Sequence, residues 1–325
     1  MNSHRQPAGR AQQLRVRRRA IVTGGAGFVG GHLVDRLVAE GIEVLVVDDL
    51  STGALANVPA AARIEQIDVS GGDLERPFRA WRPQVVFHLA AQASVPLSIR
   101  DPLRDLAVNV VGTHRVAAAA RVAAATRLVF VSSGGAIYGE TARAATERSH
   151  PAPTSYYGIH KLAAEGHVAM AGPPYAIARP SNIYGPRQTP GLEGAVVAAF
   201  LDQAVASGQL TIHGDGTQTR DFVHVDDVVD ALWRLGLRDG PTGIWNVSSG
   251  QGTSIEQLAR IVERSVGRPL GRTFGARRSG DVRHSAISSA RLRALGWTPT
   301  VALVGGIVEL AHRRGSRPPD GGTRA

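Results

Sequence analysis

The sequence of 325 residues contains no cysteine. This absence excludes a disulfide framework, thiolate catalysis, and zinc or iron–sulfur sites with cysteine ligands, and it favours a cytoplasmic location.

Long apolar runs are missing too. No uninterrupted apolar stretch approaches the ~20 residues of a membrane-spanning helix, and the basic start leads into a glycine-rich segment instead of the apolar core of a signal peptide. We therefore predict no interaction with a membrane.

Lysine is almost absent as well, since Lys161 is the only lysine among 37 basic residues. It follows Tyr157 by four positions. An ammonium group is a compact charge that fits beneath a cofactor and lowers the pKa of a neighbouring phenol, whereas a guanidinium group is planar and always charged. Lys161 is therefore a candidate functional residue. The alternative is a lysine retained by chance on a helix surface, because Tyr-x-x-x-Lys alone is a weak pattern.

The net charge of +10 is unevenly distributed along the chain. Residues 1–19 hold six arginines and no acid, and residues 312–325 hold four arginines and one aspartate, so the two ends carry nine of the ten positive charges. The body between them is nearly neutral, and a basic face for nucleic acid is not required. We predict disordered tails at residues 1–19 and 313–325, with weak polyanion binding as the alternative.

A glycine-rich turn stands between a short apolar strand at residues 20–23 and an amphipathic helix, and a second apolar strand follows at residues 44–47. A turn without side chains lets backbone amides and a helix N-terminus approach a pyrophosphate. Asp48, 18 positions beyond the last glycine, would bind ribose hydroxyls and repel a 2′-phosphate. This context predicts a dinucleotide site that prefers NAD to NADP. The glycines of the turn are Gly24, Gly27 and Gly30.

Further short strands alternate with helical stretches in the first half of the chain. This alternation predicts an α/β fold with a Rossmann-type, doubly wound parallel sheet and helices on both faces. Asp68 and Val69 follow the third strand and would meet the adenine, although a turn aspartate without a ligand fits the local sequence nearly as well. The predicted strands are 63–67, 85–89, 128–132 and 175–178, and the predicted helices include 105–125 and 157–171.

After residue 180 the sequence changes to loops rich in Gly, Pro, Thr and Asp with shorter elements, which predicts a smaller, mixed α/β C-terminal lobe. We expect the NAD-binding domain to span residues 20–180, with residues 221–248 returning to it. Residues 181–220 and 249–312 would then form the C-terminal lobe.

A serine-rich strand end and a helix would meet beside the cofactor. Ser132 and Ser133 close a predicted strand, and Tyr157 and Lys161 share one helix face because residues four apart are neighbours. A phenol, with an ordinary pKa of ~10, acts as a base at neutral pH only if a nearby cation lowers that pKa. Lys161 and the nicotinamide ring would supply this charge, and a serine would hold the substrate oxygen. The alternative for Tyr157 is a ring packed at a helix start.

At these motifs the chain resembles the extended short-chain dehydrogenase/reductases, and among them the NAD-dependent nucleotide-sugar epimerase/dehydratase family of the UDP-glucose 4-epimerase-like kind. The resemblance runs from about residue 20 to residue 309 and rests on several motifs taken together. These motifs are residues 23–30, 47–53, 88–92, 109–113, 132–139, 157–161, 179–187 and 214–221.

The resemblance implies a lobe that holds NAD tightly and a C-terminal lobe that grips a nucleotide-diphosphate sugar. Tyr157 would take the proton of the sugar 4-hydroxyl while hydride passes to NAD, and the rotated 4-keto sugar would take the hydride back on its other face. The implied NAD-binding residues are Gly24, Gly27, Phe28, Val29, Gly30, Asp48, Asp49, Ser51, Thr52, Gly53, Asp68, Val69, Leu89, Ala90, Ala91, Gln92, Asn109, Tyr157 and Lys161. The implied substrate-binding residues are Ser133, Asn182, Arg220, Arg278, Asp281 and Ser285.

The chain departs from the family pattern where the reaction is concerned. Gly134 stands at the usual position of the catalytic Ser or Thr, so that role would pass to Ser133 or to the serine before it. Gly135 and Ala136 stand where the dehydratases carry an acid pair, which argues against dehydration. Ser285 stands where a bulky tyrosine narrows the sugar pocket in some relatives, so an N-acetylated sugar should fit.

We therefore predict an NAD-dependent enzyme that catalyses the 4-epimerisation of a UDP-hexose. Three alternatives stay open: another nucleotide-sugar enzyme (a uronate epimerase, a C4 reductase or a dTDP- or GDP-sugar enzyme), a non-catalytic NAD-binding or RNA-associated regulator, and a pathway subunit scaffolded by its tails. The eleven histidines show no ligand spacing, so no metal is predicted. Many relatives dimerise through the helices of residues 105–125 and 157–171, and a homodimer and a monomer are both open.

Overall fold

The computed structural model describes residues 18–141, 143–190, 194–237, 240–277 and 282–315. Most of the two predicted tails lies outside these residues. The first strand nevertheless begins at Arg19, and the last helix continues to Gly315. The predicted tails therefore overlap regular secondary structure by one residue at the first end and by three residues at the second.

The secondary structure of the described residues alternates strands with helices, as the sequence predicts. The strands are β1 Arg19–Thr23, β2 Glu43–Asp48, β3 Arg63–Gln66, β4 Val85–His88, β5 Arg127–Val131, β6 Tyr175–Pro180, β7 Asn182–Tyr184, β8 Gln209–His213, β9 Thr219–His224, β10 Gly243–Val247, β11 Gly252–Ser254, β12 Gly271–Gly275 and β13 His284–Ser285. The helices are α1 Phe28–Ala39, α2 Glu75–Trp81, α3 Val95–Arg100, α4 Pro102–Leu106, α5 Thr113–Val122, α6 Gly134–Ile137, α7 Tyr156–Ala171, α8 Val196–Ala206, α9 Val225–Gly236, α10 Ile255–Val266, α11 Ala290–Arg293 and α12 Leu303–Gly315.

The predicted helix at residues 105–125 is in fact composite. Helix α4 starts three residues earlier, at Pro102, where Asp101 caps it through the amide of Arg104. A π-helical segment, Ala107–Gly112, then joins α4 to α5. Short π-helical stretches are uncommon and are frequent at functional sites. This wide turn cannot be predicted from the spacing of apolar residues, because it adds a residue to the helical repeat without changing the composition.

The main sheet has seven parallel strands in the order β10-β6-β5-β4-β1-β2-β3. This arrangement confirms the predicted doubly wound fold. The order reverses at β1, which lies between β4 and β2, and ligands bind at such a reversal, beyond the carboxyl ends of the strands. Strand β10 comes from the segment expected to return to this domain, whereas β9 belongs to a second sheet.

Both faces of the main sheet are buried, which is why its strands read as continuous apolar runs. On one face, α1 and α9 cover the sheet with fully buried side chains such as Leu33 and Leu232. On the other face, α5 and α7 pack through small and branched residues such as Val116 and Ala164. Burial of one large aliphatic side chain contributes about 1.5–3 kcal/mol, so these two layers hold the strand ends in place.

The C-terminal lobe contains a mixed sheet of β7, β9, β11 and β13, the two-stranded pair β8 and β12, and a layer formed by α8, α10 and α12. A buried ion pair lies where the lobe meets the main sheet: Arg179 donates to both carboxylate oxygens of Glu165, at 2.8 and 2.5 Å. Arg179 also donates to the Tyr138 hydroxyl, which in turn contacts Asn246. Because its donors are satisfied, this charge is tolerated inside the protein.

Candidate functional site

The glycine turn between β1 and α1 has no room for side chains. Gly24 has a φ of +71°, and a Cβ there would lie 2.5 Å from the backbone nitrogen of Ala90. A Cβ on Gly30 would overlap the carbonyl oxygen of Gly24. Gly27 is the N-cap of α1 and makes no side-chain capping bond. The first-turn amides and the positive end of the helix dipole can therefore face an anion.

This turn forms part of a cleft of about 310 Å³ beyond the carboxyl ends of the central strands. The cleft lies where the order of the parallel strands reverses, which is where ligands bind in such sheets. The predicted site residues in its lining are Gly24, Gly27, Phe28, Val29, Gly30, Asp48, Asp49, Ser51, Thr52, Asp68, Val69, Leu89, Ala90, Ala91, Gln92, Ser133, Tyr157, Lys161 and Asn182. The fold thus brings residues from across the first 182 positions into one site.

Asp48 is held firmly at the end of β2. Its Oδ2 accepts a hydrogen bond from the amide of Ala26 at 2.9 Å, and its Oδ1 accepts one from the amide of Leu50 at 2.9 Å. Burial raises the pKa of this carboxyl, while the two amides act in the opposite direction. Each carboxylate oxygen has a second lone pair, so Asp48 can still accept hydrogen bonds from the two hydroxyls of a ribose.

Two more of the predicted cofactor residues contact residues that line the cleft. Gly53 packs against Asp48, since a Cβ there would lie 3.0 Å from the carboxylate Oδ1. Asn109 is only 1% exposed, and its side-chain amide makes two hydrogen bonds with the backbone of Gln92, at 3.0 and 3.1 Å. Both residues therefore hold side chains or backbone of the cleft lining in place, and their contact with a cofactor stays a prediction.

The predicted substrate residues are more widely spread than the cofactor residues. Asn182 lines the cleft. Arg220 and Ser285 are paired across β9 and β13, and both are buried in the C-terminal lobe outside the cleft lining. The guanidinium of Arg220 donates to the carbonyl of Thr219 at 2.8 Å. Arg278 and Asp281 lie outside the described residues.

Tyr157 and Lys161 lie on the first turns of α7, which Ser155 caps through the amide of Gly158. The Lys161 Nζ donates to the carbonyl of Val131 at 2.6 Å and lies 4.4 Å from the centre of the Phe130 ring. Burial lowers the pKa of Lys161 to about 8, against the attraction of nearby carboxylates. At neutral pH the ammonium is therefore still charged. Lys161 follows the buried Tyr157 by four residues, so the two side chains lie on the same face of α7.

Two serine hydroxyls are available beside Tyr157. Ser132 and Ser133 both line the cleft, and the buried Oγ of Ser132 has no hydrogen-bond partner among the described residues. At Gly134, by contrast, a Cβ would lie 2.5 Å from the Cδ1 of Ile287 and 3.0 Å from the carbonyl oxygen of Arg179. The close packing explains why the hydroxyl cannot stand at residue 134 without movement of its neighbours.

The sequence analysis missed several lining residues. Arg104 brings a positive charge to the cleft from α4, and no local signal could have found it, since α4 meets the cleft only through tertiary packing. Pro180 and Ser181 also line the cleft. They lie two and three residues after the predicted strand at residues 175–178, at the end of β6, so the rule that ligands lie beyond strand carboxyl ends could have identified them.

Three further features of the described residues bear on function. Within the described ranges, no group of three or more His, Cys, Asp or Glu side chains could hold a metal ion. None of the helices in the described ranges is both long enough and apolar enough to cross a membrane. A wider groove of about 910 Å³ lies on the C-terminal lobe, but there Arg272 pairs with Glu256 and Glu263 at its edge. The groove is also remote in sequence from the glycine turn.

Comparison with known proteins gives consistent matches over nearly the whole chain. The profile of the "NAD dependent epimerase/dehydratase family" matches residues 20–248. The UDP-glucose 4-epimerase of Mycolicibacterium smegmatis is 42% identical over 302 residues, which cover 90% of this chain and 96% of that protein. The crystal structure of Thermus thermophilus UDP-glucose 4-epimerase in complex with NAD has a TM-score of 0.87 at 37% identity, covering 92% of this chain and 100% of that one. That of Thermotoga maritima UDP-glucose 4-epimerase with UDP-glucose has a TM-score of 0.86, with the same identity and coverage. The similarity therefore includes both lobes.

Proposed function

The chain belongs to the NAD-dependent epimerase/dehydratase family, and on this premise we propose that it catalyses the 4-epimerisation of a UDP-hexose with NAD as its cofactor. One observation carries the proposal. A single cleft contains the glycine turn and Asp48 together with Tyr157, Lys161 and Ser133. The UDP-glucose 4-epimerases described above support UDP-glucose and UDP-galactose as the substrates, because they align with both lobes.

NAD fits the residues that are present. The side-chain-free positions Gly24 and Gly30 leave the backbone open to a pyrophosphate, and Asp48 has free lone pairs for ribose hydroxyls. The Ser132 hydroxyl is buried and has no hydrogen-bond partner among the described residues, so it can donate a hydrogen bond to a bound ligand. NAD, when bound, accepts a hydride from C4 of the sugar and returns it.

The chain itself would move the proton. Tyr157, as phenolate, would remove the proton of the sugar 4-hydroxyl and later return it to the 4-oxygen of the rotated sugar, so that no proton is consumed. The charge of Lys161 would make this possible by lowering the pKa of the neighbouring phenol. Ser133 would donate a hydrogen bond to the sugar oxygen and hold it beside Tyr157.

The sugar nucleotide would be held by residues from both lobes. We propose Asn182 as a contact within the cleft, and Arg220 and Arg278 as phosphate ligands, since guanidinium groups make two-point contacts with phosphate oxygens. Asp281 would meet the ribose of the nucleotide. Ser285 would leave space for an N-acetyl group on the sugar. A cytoplasmic location suits this enzyme, because the cysteine-free sequence needs no oxidising compartment.

Product analysis tests the proposed reaction. The purified protein is incubated separately with UDP-glucose, UDP-galactose, their N-acetylated forms and UDP-glucuronate, and the products are separated by chromatography. We expect interconversion of 4-epimers without net formation of NADH, because the hydride returns to the sugar. Release of a dehydrated or reduced sugar, or no turnover of any UDP-sugar, would overturn the proposal.

We also propose that the protein is a homodimer. Apolar side chains are exposed on α3, α4, the π-helical segment, α5 and α7, which pack against one another. Leu103 is 74% exposed on α4, and Ile159 is 48% exposed on α7. Such a face suits a bundle with the same helices of a second copy. The residues concerned are Ile99, Leu103, Leu106, Val111, Val122, Tyr156, Ile159 and Met170.

The dimer is tested by measuring molar mass in solution. Light scattering coupled to gel filtration should give twice the chain mass of 34.2 kDa, and Leu103→Glu should shift the protein to the monomer because it places a charge in an apolar interface. Leu55→Glu is the matched control, since Leu55 is 60% exposed but lies outside these helices. A wild-type protein of single-chain mass would contradict the proposal.

A further inference from the structure

Asp105 is a buried carboxylate that the mechanism above does not use. It lies on α4 with 0% exposure. Its Oδ2 accepts a hydrogen bond from the Nδ1 of His160 at 2.6 Å. Its Oδ1 accepts one from the Nε2 of Gln92 at 2.6 Å and one from the Nδ2 of Asn109 at 3.1 Å. Three donors compensate the burial of this charge, which would otherwise be costly.

The donors come from two functional parts of the cleft. His160 belongs to α7 and directly precedes Lys161. Gln92 belongs to the segment of residues 89–94 that lines the cleft. The side chain of Gln92 also donates to the carbonyl of Ser94 and accepts from its amide, at 2.9 and 2.6 Å. Asp105 therefore connects the helix that carries Tyr157 to the wall of the cleft.

A second chain of hydrogen bonds secures the beginning of the same segment. The Thr113 hydroxyl donates to the carbonyl of Asn109 at 2.7 Å, so its oxygen accepts from the Nε2 of His88 at 2.9 Å. The Nδ1 of His88 then accepts from Thr23 at 2.6 Å, and the Thr23 oxygen accepts from the amide of Ala90 at 3.4 Å. Burial lowers the pKa of His88 to about 3, so this imidazole stays neutral. Both ends of the cleft segment are thus fixed by buried polar side chains.

We propose that Asp105 is a positioning residue for the reaction and that His160 is its partner. Together they hold α7 and the cleft segment of residues 89–94 at a fixed separation, so that bound NAD lies between the segment and Tyr157. This inference rests on the proposed function. Displacement of a reacting group by about 1 Å can cost a hundredfold in rate. A rigid connection between α7 and the cleft segment of residues 89–94 would therefore raise the reaction rate enough to justify the free-energy cost of burying the Asp105 charge.

Charge supports the same inference. The charged groups that act on the Lys161 ammonium are Glu165 on its own helix and Asp105 on α4, while His88 on β4 is neutral. Glu165 and Asp105 raise the pKa of Lys161 against the effect of burial. Glu165 already pairs with Arg179 at 2.5 Å. Asp105 is therefore the second carboxylate that keeps Lys161 charged, and its removal should lower the pKa of Lys161 further.

His160→Leu tests the proposal, because it removes the donor to Asp105 without adding charge. The holoprotein is dialysed, and the rate at which NAD leaves the chain is measured together with kcat and KM for the UDP-sugar. We expect NAD to leave roughly ten- to a hundredfold faster and kcat to fall by a similar factor, the scale seen when an orienting partner is removed. KM for the sugar should change less than kcat.

His160→Asn is the rescue variant, since its side-chain amide can donate from the place of the imidazole Nδ1. It should restore both NAD retention and kcat to within about threefold of wild type, a difference smaller than 1 kcal/mol. Asp105→Asn should resemble His160→Leu and should also move the alkaline limb of the kcat profile to lower pH, because Lys161 without this neighbouring carboxylate loses its proton more readily.

Asp227→Asn is the matched control. Asp227 is also a buried carboxylate, and it accepts three hydrogen bonds from Thr300 and Val301, none of which lines the cleft. It should lower the free energy of unfolding without changing NAD retention. The proposal is overturned if His160→Leu retains NAD at the wild-type rate, or if His160→Asn is no better than His160→Leu. If the wild type epimerises no UDP-sugar, the proposed function fails, whereas NAD retention still decides the positioning role.

Discussion

Tyr157→Phe is expected to lower kcat for 4-epimerisation by about a thousandfold, within the range that general acid–base catalysis supplies. The substitution removes one oxygen atom from a buried side chain in the cleft. Without that oxygen, no phenolate can accept the proton of the sugar 4-hydroxyl, so hydride transfer would leave a protonated and unstable ketone. NAD retention and KM should change little, because the ring still fills the same space. The measurement is steady-state turnover of UDP-galactose with product quantification.

Tyr156→Phe is the matched control for this prediction. Tyr156 is the neighbouring residue on α7, and it is 47% exposed. The mechanism gives its hydroxyl no role, so its loss should leave kcat within about twofold of wild type. If Tyr156→Phe removed activity and Tyr157→Phe did not, the assignment of the base would be wrong.

Lys161→Met is expected to lower kcat by about a hundredfold or more and at the same time to stabilise the fold. Activity falls because no cation remains to lower the pKa of the Tyr157 phenol. Stability rises because burial lowers the pKa of Lys161 from 10.5 to about 8. At pH 7 the folded chain thus keeps a charge that costs up to about 3 kcal/mol, an upper value since methionine also loses the contacts with Val131 and Phe130.

The pH dependence of this stabilisation has a defined sign. Between pH 8 and pH 10.5 the unfolded chain holds a proton on Lys161 that the folded chain has lost. The stability of the wild type should therefore rise with pH through this window relative to the variant. The advantage of Lys161→Met, measured by denaturant unfolding, should be largest below pH 8 and should vanish near pH 10.5.

Lys161→Arg separates the two effects. Arginine keeps the charge, but its planar guanidinium does not fit the contact with the Val131 carbonyl that the ammonium makes at 2.6 Å. It should lose activity without gaining stability. A methionine variant that kept more than a tenth of the wild-type kcat would contradict the role of Lys161 in activating Tyr157.

The sequence analysis predicted the local structure correctly where the residues concerned are close together in the chain. The glycine turn, Asp48 at the end of β2, and the pair Tyr157 and Lys161 on one helix all follow local rules of strand, turn and helix. The alternation of strands and helices was sufficient to predict the parallel sheet, because a parallel connection requires a crossover helix. These elements in turn place the predicted cofactor residues at one edge of the sheet.

Motif positions alone did not predict how the predicted residues contact one another. Asn109 and Gly53, both predicted to bind the cofactor, contact Gln92 and Asp48, which line the cleft. Motif spacing identifies a position near a ligand, whereas contact depends on which side chains intervene. The π-helical segment that carries Asn109 turns this residue toward Gln92, and no periodicity in the sequence indicated that turn.

By itself, the sequence determined the fold class, the glycine turn between β1 and α1, the acidic residue at the end of β2, and the tyrosine and lysine of the proposed reaction. These properties follow from dihedral angles, helical spacing and charge within short segments. Only the tertiary structure decided that Gly134 has no space for a hydroxyl, that Arg104 enters the cleft, and that Asp105 meets His160. The last two residues are 55 positions apart. Such contacts depend on how α4 and α7 pack on the sheet, and packing is set by the shapes of all the buried side chains together.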